Sequence, residues 1–337
     1  MPGYPLDDLA GAEGALAEAL AAPDVAAAVD ETVVYLESDD ARAALLRDPY
    51  WPKWESPWWR MTLLWELGLA RRIPRPIADA MVEALNAHYL HTFPIRPGDA
   101  PATVAIRGRE EPFDGWRHSA CHCALGTMAQ VLLACGIDVD AAVPWIRPWA
   151  LRYQLPDGGL NCDETAYVKS PPRSSMLSTL PVAEAMLALF PDRSTRTEAV
   201  SRFLGGAARY LEQRRLVRSI SKGMALIDPA WLVPCFPRFY DYDVLRGLRF
   251  LARWKASRPD AGPTAEVVAE AREACARWFA AGLDPAGPAP RAWWKGVGTV
   301  RLATAGPTTG RWEPKQPHGT FSLLEIAAKR RLAAPAL

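Results

Sequence analysis

Helices apolar on every side alternate along this chain with helices that keep one polar face, and that alternation restricts the fold more than any single motif. Ser119 to Cys135 is apolar nearly all round, whereas Asp138 to Leu155 is amphipathic, with Arg147 and Arg152 available to water. Ser174 to Phe190 is apolar again, and Thr195 to Leu216 is amphipathic and Arg-rich. Tyr240 to Trp254 is more apolar than its successor, Thr264 to Ala280. The apolar helices begin near Pro57, His118, Ser174, Tyr240 and His318, a period of roughly 55–80 residues that reads as a two-helix repeat with loop insertions. Upstream, Leu6 to Ala22, Pro23 to about Leu36, Asp40 to Leu46, Pro57 to Leu69 and Ile77 to Leu90 carry helical patterns. Residues 92–115 read as a long loop with a small hairpin at Thr103-Val-Ala-Ile-Arg-Gly108, and 283–317 as a Pro/Gly/Trp-rich loop before a last helix, His318 to Arg330. The fold class is all-α.

With 337 residues, half of them hydrophobic, the chain can bury a sizeable core. A net charge of +1 with acids and bases interspersed excludes a nucleic-acid or anionic-membrane partner as the main expectation. No apolar run approaches the ~18–20 residues of a membrane span. The start, Met1-Pro-Gly-Tyr-Pro-Leu-Asp-Asp, lacks the order of a signal peptide, so the cytoplasm is the expected location. There, six cysteines are buried hydrophobes, metal ligands or reactive thiols rather than a disulfide framework. Fourteen tryptophans, five of them at 51, 54, 58, 59 and 65, suit a deep apolar cavity or a well-filled core.

Between two of these helices lies Arg152-Tyr-Gln-Leu-Pro-Asp-Gly-Gly-Leu-Asn-Cys-Asp-Glu164. Pro156 stops the helix, Asp157-Gly158-Gly159 supplies a tight turn, and a polar loop carrying Cys162 follows. The wording Gln154-Leu-Pro-Asp157-Gly158-Gly159-Leu160-Asn161-Cys162 resembles the repeat of the squalene–hopene cyclase and protein prenyltransferase superfamily, and within it a bacterial branch whose loop reads Asp-Gly-Gly-Trp-Asn-Cys. Leu160 stands where that branch has its aromatic residue. The resemblance implies an α/α toroid, a double ring of five to six helical hairpins. On this reading residues 1–337 form a single domain, with 51–332 as core repeats and 1–50 as N-terminal, accessory helices. An open α-solenoid would alternate similarly, with shorter and more even repeats.

In a toroid the first turns of the inner helices and the loops leading to them gather at one mouth of a central cavity. The residues so placed are Trp58, Trp59 and Thr62; His118, Cys121, His122 and Cys123; Cys162, Asp163 and Glu164; Ser174 and Ser175; Asp241 and Asp243; and His318 and Ser322. Trp58, Trp59, Thr62, Ser175, Tyr240 and Tyr242 are the expected substrate-cavity residues. A tetrahedral zinc or another divalent metal, the one candidate cofactor, would draw its ligands from Cys121, His122, Cys123, Cys162, Asp163 and His318. His318 resembles the late histidine ligand of the prenyltransferases, but their Asp-x-Cys pair does not appear at the matching place. Residues 121 and 123 cannot point the same way on an intact helix, and both can serve as packing cysteines instead.

Asp241-x-Asp243 is similar to the cyclase acid motif Asp-x-Asp-Asp but ends in Val244. Asp243 is either the general acid of a first helical turn or that helix's cap. The candidate catalytic residues are thus Asp243, Asp241, Cys162 and His318. The resemblance implies an enzyme that cyclises, isomerises or transfers a hydrophobic, isoprenoid-like small molecule of secondary metabolism. The alternative is a non-catalytic metal- or ligand-binding toroid serving a biosynthetic pathway. A homodimer stays open.

Overall fold

The computed structural model describes residues 11–51, 56–88, 102–106, 109–113, 121–239, 241–258, 269–275 and 320–333, and these are mainly helical. The chain divides into two compact units, one formed by Met1–Tyr35, Glu66–Gly68 and Leu211–Leu337, the other by Leu36–Trp65 and Leu69–Tyr210. The named helices, in chain order, are α1 (Ala12–Ala21), α2 (Pro23–Glu37), α3 (Asp39–Arg47), α4 (Pro57–Glu66), α5 (Arg75–His88), α6 (His122–Ala134), α7 (Val139–Ala142), α8 (Ile146–Arg152), α9 (Thr165–Val168), α10 (Met176–Leu189), α11 (Glu198–Gln213), α12 (Val244–Ser257) and α13 (Thr320–Ala333). A further helical run occupies 269–275.

In the unit that contains residues 69–210, α6 and α10 form the central pair. Eleven of the thirteen residues of α6 and eleven of the fourteen of α10 are buried, so neither has a polar face to turn outward. Their backbones meet at Gly126: an added Cβ there would lie 2.4 Å from Pro181 C and Val182 N. Gln130 secures the crossing, its Nε2 donating at 3.2 Å to both Gly126 O and Pro181 O. Around this pair, α3 packs on α5, and His88 Nε2 lies 2.7 Å from Leu46 O. Trp58 and Trp59 of α4 are buried edge-on against Tyr50, at centroid separations of 5.6 and 5.0 Å.

The expected helix over Asp138–Leu155 is two short ones, α7 and α8, because Pro144 disfavours helical backbone at Val143 before it. The small hairpin of the 92–115 stretch is present as antiparallel strands Thr103–Ile106 and Arg109–Pro112, with Ile106 paired to Arg109.

In the other unit, α1 packs on α13, and Arg331 Nε donates to Glu13 Oε1 at 2.8 Å. The residues expected to be accessory thus include a helix joined to the last one. α12 buries its whole first turn and a half, Val244 to Leu248, and then exposes Arg253 and Lys255. The apolar reading of that helix holds for its beginning, where its contacts are buried.

Candidate metal centre

The loop after α8 is held at nearly every residue. Gly158 sits at φ +95° and its carbonyl accepts from Gln154 Nε2 at 2.8 Å. The same amide nitrogen donates to Phe203 O of α11 at 2.8 Å. A side chain at 158 would strike Gly206 O at 2.3 Å, so the turn and α11 meet backbone to backbone. Asp157 accepts from Gly159 N at 3.3 Å, from Ser174 N at 3.1 Å, and from the Ser174 hydroxyl. Leu160, where the resembling branch carries an aromatic, is fully buried; its N–H donates to Thr179 Oγ1 at 2.9 Å and its carbonyl accepts from Ser175 N at 2.8 Å. Asn161 Nδ2 donates to Arg173 O at 2.7 Å. Cys162 N then donates to Ser178 Oγ of α10 at 2.9 Å.

These bonds aim the Cys162 sulfur at the start of α6. Cys121 Sγ lies 2.9 Å from Cys162 Sγ and 3.0 Å from Cys123 Sγ, and all three sulfurs fall within 4.8 Å of one another. The separations far exceed the ~2.05 Å of a disulfide, and all six cysteines are free. The geometric objection to Cys121 and Cys123 sharing a direction is met by backbone conformation. Cys121 is the N-cap of α6, extended at φ −78° and ψ 130°, so only Cys123 belongs to the helix. Cys121 makes no side-chain capping bond itself; instead Cys123 N points at Cys162 Sγ, 3.5 Å away. A sulfur from the loop thus occupies the positive end of α6.

The three thiols are electrically unequal. Burial pushes Cys162 up, but hydrogen bonds from Cys121, Cys123 and the Ser178 hydroxyl outweigh it and hold the thiol well below its ordinary range. Cys123 is raised well above that range, first by its hydrogen bond to Cys121 and then by its bond to Cys162 and by burial. Cys162 is thus the one of the three that ionises most readily. Three sulfurs converging from two segments suit a soft or borderline divalent cation. Tetrahedral zinc sets its sulfurs ~3.8 Å apart, so binding asks the Cys121–Cys162 and Cys121–Cys123 pairs to open by less than about 1 Å.

His122 turns away from the sulfurs. Its ring stacks near Trp149 at 4.3 Å, and Nε2 lies 2.9 Å from Tyr167 Oη. Tyr167 Oη donates to Tyr153 O at 3.0 Å and accepts from Asn161 N at 3.3 Å, which assigns the remaining proton of this network to His122 Nε2. Burial lowers the His122 pKa to about 4, so the ring is neutral at pH 7. Among the expected ligands, then, the structure brings together Cys121, Cys123 and Cys162. Asp163 faces water, accepting from Thr165 N at 3.0 Å and Thr165 Oγ1 at 2.7 Å in the turn that leads into α9. His318 and His118 lie outside the described residues, as does Tyr240.

The remaining candidates occupy defined structural positions. Ser175 is the N-cap of α10, and Thr62 Oγ1 donates to Trp58 O at 2.8 Å. Tyr242 is buried against Trp231, its hydroxyl donating to Leu216 O at 2.7 Å. Asp243 is fully buried as the N-cap of α12, accepting from Arg246 N at 2.7 Å, Cys235 N at 2.8 Å and Cys235 Sγ at 3.2 Å. Asp241 is half-buried, and its carbonyl accepts from Arg246 Nη1 at 2.9 Å. The sequence reading missed Glu66, Arg238 and Arg246, which are buried together with Asp243 in one unit. No family model, curated protein or solved structure matches the chain.

Proposed function

We propose that this chain is a thiolate-metal enzyme, with zinc the leading ion, in which Cys121, Cys123 and Cys162 hold the metal and the fourth position takes a substrate group. The observation that supports this is the convergence of three sulfurs, one of them placed by a loop whose hydrogen bonds are nearly all spent on that placement. Three protein ligands with one position open is the arrangement of catalytic rather than structural zinc. A bound zinc would lower the pKa of a water, hydroxyl or thiol held there. The substrate class in this reading is a hydrophobic, isoprenoid-like small molecule and the architecture an α/α toroid, both resting on the likeness of the Gln154–Cys162 loop to the cyclase and prenyltransferase repeat. Cyclisation by Asp243 is a weaker route, because that carboxylate already accepts three hydrogen bonds.

Purified, reduced protein should bind one zinc per chain, and cobalt in its place should give the intense sulfur-to-cobalt charge-transfer bands of a thiolate site. Cys162→Ser should abolish both. Protein that takes up neither ion with retained helicity would overturn the proposal. The rival reading, a metal-binding toroid without turnover, separates in the same experiment. An open site changes its cobalt spectrum when a small thiol is added, and a closed one does not.

A further inference from the structure

A buried arginine in the unit containing residues 211–337 has no use in the metal chemistry. Arg238 is 6 % exposed, yet among the described residues its Nε and Nη1 have no hydrogen-bond partner. Buried polar groups are nearly always satisfied, and N–H donors left without an acceptor are costly even where an opposite charge lies nearby, as that of Glu66 does here. The surrounding loop fixes the backbone at this residue. Arg238 N donates to Glu66 Oε2 at 2.6 Å and Phe239 N to Glu66 Oε1 at 2.7 Å, so both carboxylate oxygens are taken by backbone. Arg238 O accepts from Asp241 N at 2.6 Å. Phe239 is held at φ +49°, a left-handed conformation that a bulky residue adopts only under constraint. Arg246 Nη1 donates to Phe239 O at 3.3 Å and Asp241 O at 2.9 Å. Asp243 is occupied by Cys235 and Arg246. The Glu66 and Asp243 carboxylates and the Arg246 guanidinium are all hydrogen-bonded; the Arg238 guanidinium lies near the Glu66 charge, but among the described residues its Nε and Nη1 remain without a hydrogen bond.

We propose that the guanidinium of Arg238 anchors a binding site for the carboxylate of a small organic acid. A guanidinium offers a planar fork of N–H donors carrying one positive charge, which a carboxylate matches with two oxygens and one negative charge. Phosphate would bring a second negative charge, and Arg246, the other buried cation of the cluster, is already engaged with two carbonyls and flanked by Asp243. Bound carboxylate satisfies the two donors that lack a hydrogen bond.

The test is calorimetry and thermal unfolding of the full chain at fixed pH and ionic strength. Its probes are acetate and benzoate, their neutral analogues acetamide and benzamide, and inorganic phosphate. The carboxylates should bind at a single site and raise the unfolding temperature, while the amides do neither. Arg238→Gln should weaken carboxylate binding at least about tenfold. Equal effects of acid and amide would overturn the proposal, as would tighter binding of phosphate than of carboxylate. If Arg238→Gln fails to fold, the acid–amide contrast in the parent protein decides alone.

Discussion

Replacing Gly126 with alanine tests the claim that α6 and α10 touch through their backbones. The added methyl carbon would lie 2.4 Å from Pro181 C and Val182 N and 2.6 Å from Pro181 O. Carbon atoms pack at ~3.5–4.0 Å, so the helices must part locally by roughly 1 Å. No side-chain rotation can relieve a clash with backbone, and a gap of that size forfeits a quarter to a half of each dispersion contact across it. Overpacking of this kind costs about 1–3 kcal/mol, and loosening the Gln130 bonds to Pro181 O and Gly126 O adds about 1 kcal/mol. Against this, alanine gains about 1 kcal/mol over glycine inside a helix. The net expectation is a loss of about 1–3 kcal/mol. Gly14→Ala in α1 is the control, because a Cβ there meets nothing within 4 Å and only the propensity gain remains. Urea unfolding followed by helical circular dichroism should therefore move in opposite directions for the two variants. Metal affinity should also fall in Gly126→Ala, since α6 carries Cys121 and Cys123 while α10 holds Cys162 through Ser178. If Gly126→Ala is as stable as the parent, the close approach and the reasoning built on it are wrong.

Three further outcomes follow from the same geometry. His122 has its pKa lowered by burial from 6.5 to about 4, so the unfolded chain binds its proton more readily than the folded one. The stability it contributes is complete above pH 6.5 and is lost as pH falls toward 4, an effect of about 3 kcal/mol. Glu66, raised by burial, contributes with the opposite sign as pH rises above 4.5, so the His122 part is the difference between the metal-free parent and metal-free His122→Gln; parallel curves between pH 7 and 4.5 would contradict it. Asp243→Ala leaves Cys235 N and the first turn of α12 without acceptors and should cost about 2–4 kcal/mol in chemical unfolding, and a change below about 1 kcal/mol would show that the cap is dispensable. Leu160→Trp, which writes the resembling branch's aromatic into this loop, should destabilise by about 1–3 kcal/mol because Leu160 has no exposed surface into which an indole could extend; unchanged unfolding would mean that the loop carries spare volume.

What the residues disclose depends on how local the cause is. The apolar character of α6 and α10 is written into each helix separately, so their burial is legible without a partner in view. The turn at Asp157-Gly158-Gly159 is equally local, and Pro144 marks a break in the 138–155 pattern that amphipathicity alone passes over. Cys121 and Cys123 show where local reasoning fails. Helical spacing sends them apart, and the single extended residue at the cap brings their sulfurs to 3.0 Å. His122 lies between them, yet its contacts are with Trp149 and Tyr167, which no spacing rule connects to it. The Glu66–Arg238 contact spans 172 positions, and in sequence Glu66 looks like an ordinary acid at a helix end.

The thiols can be packing residues or ligands, and the loop discriminates between these roles. A packing cysteine needs only apolar neighbours and tolerates small displacements. Cys162 instead has its own amide bonded to Ser178, and the residues leading to it are fixed through Thr179, Ser175, Ser174 and Gln154. Its sulfur stops at a helix N-terminus, beside two further sulfurs, where negative charge is stabilised and where Cys121 and Cys162 keep some exposure to water. Hydrophobic burial would have favoured closing that site and spacing the sulfurs apart. An arrangement that holds a thiolate accessible, against both burial and mutual crowding, is the one expected when a cation completes it.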